Sequence, residues 1–133
     1  MKIGFIGYCD TPFDKKKAQK IIEEIFTDIQ RYVNEEIIIV SGASDCGVIG
    51  MIYHESEKYN YKTVGIMCKQ GYDKNNQLYP CDIIYAVGNN WGDESETFIN
   101  NIDLLYKIGG GEQSMKEKHM AKLKNISVLE YEL

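Results

Sequence analysis

Two short stretches gather the residue types that handle small anions and sugars. "SGASDCGVIG" spans 41–50 and holds Ser41, Gly42, Ala43, Asp45 and Gly47 behind an apolar run. "IGGGEQSMKE" spans 108–117 and carries Gly109, Gly110, Gly111, Gln113, Ser114 and Glu117. In each, small residues turn the chain from a predicted strand into a predicted helix. The first turn of such a helix presents unsatisfied N–H groups and the positive end of the dipole, which suits a phosphate or carboxylate. Neither stretch continues as G-K-[ST], so neither is a Walker loop. "GFIGYC" after the first strand lacks the third glycine of a dinucleotide fingerprint, so NAD fits poorly.

Other candidates stand at the ends of other strands. Gly7, Tyr8 and Asp10 follow the first; Trp91, Asp93 and Glu94 follow the fourth. Tyr8 and Trp91 offer ring faces to a heterocycle. Asp45 reads as an acceptor for a ribose diol or as a helix cap, and Gln113 and Ser114 as donors to a phosphate or base edge. Glu117 reads as a general base or, with Ser114, as half of a capping box. Glu94 and Asp93 are the carboxylates available to work with it. Cys9 and Cys46 end neighbouring strands, but no histidine is near them in sequence to make a thiol nucleophile. The four cysteines show no C-x-x-C spacing, and "MKIGFIGYC" is not a signal peptide, so reduced thiols in a cytoplasmic protein are expected. His54 and His119 are far apart, and no paired ligand set is present; neither a metal nor a cofactor is expected.

These residues need a scaffold, and the hydrophobic pattern supplies one. "KIGFIG" (2–7), "EEIIIVSG" (35–42), "YKTVGIMC" (61–68), "CDIIYAVG" (81–88), "LLYKIGG" and "NISVLEYEL" read as strands. Four β-branched residues in a row at 37–40 mark a strand covered on both faces. Helical spacing of Ile21, Ile22, Ile25, Phe26, Ile29, Tyr32 and Val33 predicts a helix capped by Asp14. "VIGMIYHESEKY" predicts a second, "NNWGDESETFINNID" a third started by Asp93 or Ser95, and "EQSMKEKHMAKLK" a fourth. The polar segment 69–80 reads as a loop. The expected fold is α/β: one three-layer Rossmann-like domain over 1–133, with a mainly parallel sheet of five to six strands and helices on both faces. In such folds ligands sit beyond the strand C-termini where strand order reverses, which selects the loops after the first, second, fourth and fifth strands.

Composition narrows the partners. The net charge of −5, with 20 acidic side chains against 15 cationic, disfavours a nucleic-acid partner. No apolar run reaches the ~20 residues of a membrane span. A nucleotide-like small molecule remains the expected partner.

The paired motifs resemble the SLOG superfamily, the Rossmann-like group that includes the LOG phosphoribohydrolases. Gly42, Gly47, Val48, Ile49 and Gly50 match its G-G-x-x-x-G-L-M-G motif. Gly110, Gly111, Ser114 and Glu117 match its P-G-G-x-G-T-x-x-E motif, and Asp103 stands seven residues before that glycine pair. The resemblance implies glycine loops that hold phosphate and ribose. In the hydrolase branch it implies cleavage of the N-glycosidic bond of a nucleoside 5′-monophosphate, with Glu117 in the glutamate role. It also implies a homo-oligomer, a dimer first, with the apolar residues Val48, Ile49, Met51 and Ile52 as a possible interface. The chain departs from the family at the arginine and lysine positions, which fall on Glu94 and Ser95, and at the methionine position, Phe98. Gln113 replaces a glycine and Gly109 a proline. Two facing carboxylates repel an anionic substrate, so binding is expected ahead of hydrolysis. A vestigial crevice in an interaction protein is the third alternative.

Overall fold

A computed structural model describes residues 1–74 and 77–133. In chain order the elements are β1 (Lys2–Gly7), α1 (Lys15–Tyr32), β2 (Ile38–Ser41), α2 (Gly47–Lys58), β3 (Lys62–Met67), α3 (Lys69–Lys74), β4 (Ile83–Ala86), α4 (Ser95–Asn100), β5 (Leu104–Ile108), α5 (Glu112–Leu123) and β6 (Ser127–Tyr131). The strands form one sheet in the order β4-β3-β2-β1-β5-β6, and every pair is parallel. The fold is therefore the α/β Rossmann-like arrangement expected, with six strands and helices on both faces. None of the helices among the described residues is long and apolar enough to cross a membrane.

Alternation along β1 explains the layering. Ile3 and Phe5 face one side, where Ile22, Ile25, Phe26 and Ile29 of α1 and Ile52 and Tyr53 of α2 close the core. Ile6 faces the other side and packs with Val40, Ile66, Phe98, Ile99, Ile102, Leu105 and Ala121, beneath α4 and α5. Phe5 stacks between Phe26 and Tyr106, with centroids 5.7 and 5.2 Å away, so the first core is also an aromatic column. Asp14 caps α1 as expected: its carboxylate accepts from Lys17 N at 3.1 Å.

Several expectations are corrected. Within 69–80, residues 69–74 form α3, while 75 and 76 lie outside the described residues. Its weak intrinsic propensity is overridden by docking: Lys69 N and Gln70 N donate to the carbonyls of Gly88 and Asn89, and Gly71 N donates to Cys68 Sγ. The third predicted helix is shorter than its pattern, and Asp93 does not cap it. The Asp93 carboxylate instead accepts from Asn89 N and Asn90 N at 3.0 and 2.9 Å, closing the turn after β4. Ser114 does not cap α5 either; the cap is Gly111, with no side-chain bond. The apolar face of α2 is not free, because Val48, Ile49 and Ile52 are buried against the sheet. Exposed apolar side chains occur instead on the edge strand β4, where Ile83 and Tyr85 are 48% and 51% exposed.

Asp103 lies at the opposite end of β1 from the glycine loops. Its carboxylate accepts from Lys2 N at 2.8 Å, and its own N–H donates to Lys2 O at 2.7 Å. It fixes the register of β5 on β1 from the far side. Asp103→Ala is expected to cost about 1 kcal/mol in denaturant unfolding, with ligand affinity unchanged in the same variant.

Candidate functional site

Strand order reverses between β1 and β5: the chain runs outward through β2, β3 and β4, then returns to the other side of β1. The loops leaving β1, β2 and β5 diverge there and leave a crevice of about 590 Å³, within the size range of small-molecule sites. Gly7, Tyr8 and Asp10 come from the first loop, Ser41 and Gly42 from the second, Trp91 and Glu94 from the fourth, and Gly111, Gln113, Ser114 and Glu117 from the fifth. β3 and the segment that follows it add residues the topological reading left out, namely Ile66, Met67, Lys74 and Gln77, since β3 runs on to Met67 while the last residue of β2, Ser41, pairs with Gly65. Thr11, expected beside Asp10 after the first strand, also lines it, and Glu112 and Phe98 are further additions. The signal for β3 was present: its C-terminal end falls under the same topological rule as its neighbours.

Each wall has a local cause. Ser41 Oγ donates to Phe5 O at 2.7 Å, tying the end of β2 to β1. Val48 N donates to Tyr8 O at 2.8 Å, which seats the start of α2 on the first loop. Gly47 permits that contact: its φ is +55°, and a Cβ there would stand 2.6 Å from Cys9 Cα. On the other side Gly110, at φ +113°, turns the chain so closely that a Cβ would meet Ser114 Cβ at 2.5 Å. Tyr8 lies over Gly109 and stacks with Phe13 at 6.3 Å, so its ring forms a wall. Trp91 is 58% exposed and packs one edge over Gly71, leaving the rest of its ring available at the rim.

Not every candidate lies at the crevice. Ala43 is buried, and its carbonyl accepts from Tyr79 N at 2.8 Å. Asp45 is engaged by His54 of α2, Nε2 to Oδ1 at 2.9 Å, and neither caps α2 nor lines the cavity. Gly47, Gly109 and Gly110 shape the walls without lining them, and Asp93 is taken up by its turn. Cys46 occupies the position before α2 without a side-chain cap bond.

The floor is acidic. Glu94 and Glu117 line the same cavity and are only 7% and 6% exposed. Glu94 accepts from Gly92 N at 2.8 Å. Burial raises the Glu117 carboxyl to about 7, and the Glu94 charge pushes the same way, against the pull of Ser95, Gln113 and Lys116. Among the described residues the Ser95 hydroxyl is buried without a hydrogen bond of ordinary geometry, while its nearness to Glu117 favours the charged carboxylate. Asp10 and Glu112 add two more carboxylates to the lining, against Lys74 as the one cation among the described lining residues. Glu117 therefore shares its proton near neutral pH, as a general acid or base does.

Cys9 and Cys46 are joined as a disulfide at the crevice mouth, with Cα atoms 5.4 Å apart. This corrects the expectation of four reduced thiols; Cys68 and Cys81 are the free pair. Parallel pairing of β1 with β2 brings the two chain segments together. Alkylation of the unfolded chain without reductant is expected to modify two cysteines, and four after reduction. Four without reduction would contradict the pairing.

Solved structures share this fold. The molybdenum cofactor binding protein of Rippkaea orientalis superposes with a TM-score of 0.76 at 18% identity, over 99% of this chain and 76% of its own. The molybdenum cofactor carrier protein of Chlamydomonas reinhardtii gives a TM-score of 0.78 at 15% identity, again over 99% and 76%. The structural-genomics protein TM1055 gives 0.76 at 17% identity, over 96% and 71%. At these identities the likeness is one of fold. No protein-family model matches the chain, and no curated protein matches it in sequence.

Proposed function

We propose that the chain binds a nucleotide or nucleotide-like heterocyclic cofactor in the crevice between the β2–α2 and β5–α5 loops, and holds it without cleaving it. The observation that carries this reading is the crevice itself, about 590 Å³ at the reversal of strand order, with apolar walls and a few convergent polar groups. Tyr8 and Trp91 would flank a ring, while Gln113 and Ser114 at the start of α5 would meet its polar substituents. Two structures of the same fold are named for binding or carrying the molybdenum cofactor, which makes that cofactor a member of the panel worth testing. The acidic floor favours a ligand that places N–H donors there and keeps any phosphate toward the first turn of α5.

Isothermal titration with AMP, GMP, cyclic dinucleotides and isolated molybdenum cofactor tests the proposal. One of them is expected to bind one-to-one and to lose at least tenfold in affinity in Gln113→Ala. No binding by any member would overturn it.

A second reading is favoured by one specific observation: Glu117, held near 7 beside Glu94, suits acid–base chemistry on a glycosidic bond. In that case nucleoside monophosphates release free base, and Glu117→Gln abolishes the release. Asp93 would take no part, since both of its backbone partners belong to its own turn.

A further inference from the structure

The mouth of the crevice holds a second group of functional side chains that the ligand-binding reading leaves unused. Cys9 is the second residue after β1, and Cys46 immediately precedes α2. A sulfur from each, together with a carboxylate oxygen of Asp10, all lie within 4.8 Å of one another. Asp10 is exposed, and no cation among the described residues pairs with it. Two thiolates and one carboxylate make a donor set suited to a thiophilic divalent cation. Tetrahedral coordination at a Zn–S distance of about 2.3 Å sets sulfur ligands about 3.8 Å apart. The Cα separation of 5.4 Å allows that spacing once the sulfurs are no longer bonded.

We propose that, in the reduced protein, Cys9, Cys46 and Asp10 bind one Zn²⁺-class cation as a three-ligand site whose fourth position opens toward the crevice. All three residues line the crevice, so that position is within reach of a bound molecule or water. The reaction balances without a hidden participant. Two equivalents of a small thiol reduce the Cys9–Cys46 bond, giving two protein thiols and one small-molecule disulfide. The cation then displaces both thiol protons to solvent and is bound by two thiolates and the Asp10 carboxylate. Oxidation by a small disulfide reverses the first step and expels the cation. The site thus exists in the dithiol form alone, and the proposal is independent of which ligand the crevice holds.

The test uses the full chain, reduced and freed of reductant without air, and titrated with CdCl₂. The expected result is one equivalent bound, with the ultraviolet thiolate-to-cadmium charge-transfer band, displaced by Zn²⁺. The oxidised chain is expected to give no band, and the Cys9→Ser/Cys46→Ser double variant to lose it. Asp10→Asn is expected to keep the band and weaken affinity about tenfold. Asp10 is exposed, so this variant and the oxidised wild type keep the test decisive even if the cysteine variants fail to fold. Absence of the band from the reduced chain overturns the proposal. So does its persistence in the double variant, which would assign it to Cys68 or Cys81, or an unchanged affinity in Asp10→Asn.

Discussion

Glu117→Gln is expected to raise the melting temperature by on the order of 10 °C at pH 8 while leaving it almost unchanged near pH 4. The folded carboxyl is raised to about 7 from a usual value of 4.5. Between those two values the native chain holds a proton that the unfolded chain releases, so stability falls as pH rises through this window and levels off above it. The loss amounts to about 3 kcal/mol by pH 8, since each tenfold change in proton affinity is worth about 1.4 kcal/mol. Glutamine keeps the shape and removes the charge, so the variant is free of this slope. Glu94→Gln relieves part of the same strain, since the Glu94 charge is the second contribution that raises Glu117. Melting curves of the three proteins across pH 4 to 9 provide the check. An equal gain at both ends of the range would mean that Glu117 is held for packing and not for its charge. A domain that keeps two nearly buried carboxylates facing one cavity gives up stability there, which is the expected cost of a functional site.

Gly47→Ala is expected to be the most damaging single-methyl change in the chain, at roughly 3 kcal/mol or more. Two costs add: φ is +55°, where an L side chain is strained, and the new Cβ meets the backbone at Tyr8 and Cys9, which cannot rotate away. Relief requires the β1–α1 loop to lift off α2, breaking the Val48 N to Tyr8 O bond and opening the crevice wall. Loss of ligand affinity beyond tenfold should accompany the loss of stability. Gly111→Ala is the contrast, because a Cβ there meets nothing within 4 Å. Its stability should change by less than about 0.5 kcal/mol, so a fall in affinity would report contact with the ligand. Denaturant unfolding of both variants separates a wall residue from a lining one. A harmless Gly47→Ala would show that the loop and α2 do not pack as described.

Much of this arrangement is legible in the residues. The β-branched run at 37–40 announces a buried parallel strand, and the spacing of Ile22, Ile25, Phe26 and Ile29 announces the helix that covers it. Small residues after β1, β2 and β5 mark the loops that diverge into the crevice, because a close turn there admits little else. What was not legible depends on neighbours distant in sequence. α3 forms on carbonyls from the β4–α4 turn, 19 residues away in the chain, so its own pattern shows only a polar loop. Asp93 suits a cap by type, yet two nearer N–H groups capture it first. Val48 and Ile52 read equally well as a contact face or a core face, and only the packing of α2 on β1 decides for the core. The pattern does put Cys9 and Cys46 at the ends of neighbouring strands, yet their joining as a disulfide is not among its expectations. Glu94 shows the reverse: it stands out in the sequence as a carboxylate where the resembled motif has a cation, and both it and Glu117 are buried at the same cavity.

A small ligand is expected to sit in the crevice between the glycine loops. Amide chemical-shift mapping of the isotopically labelled chain, titrated with the ligand panel, tests it most directly. Shifts are expected to concentrate at Gly42, Cys46, Gly111, Gln113 and Ser114, with Asp103 and the residues around it silent. Shifts centred on the smaller cavity between Glu57 and Asp82, or no shifts with any member of the panel, would contradict it.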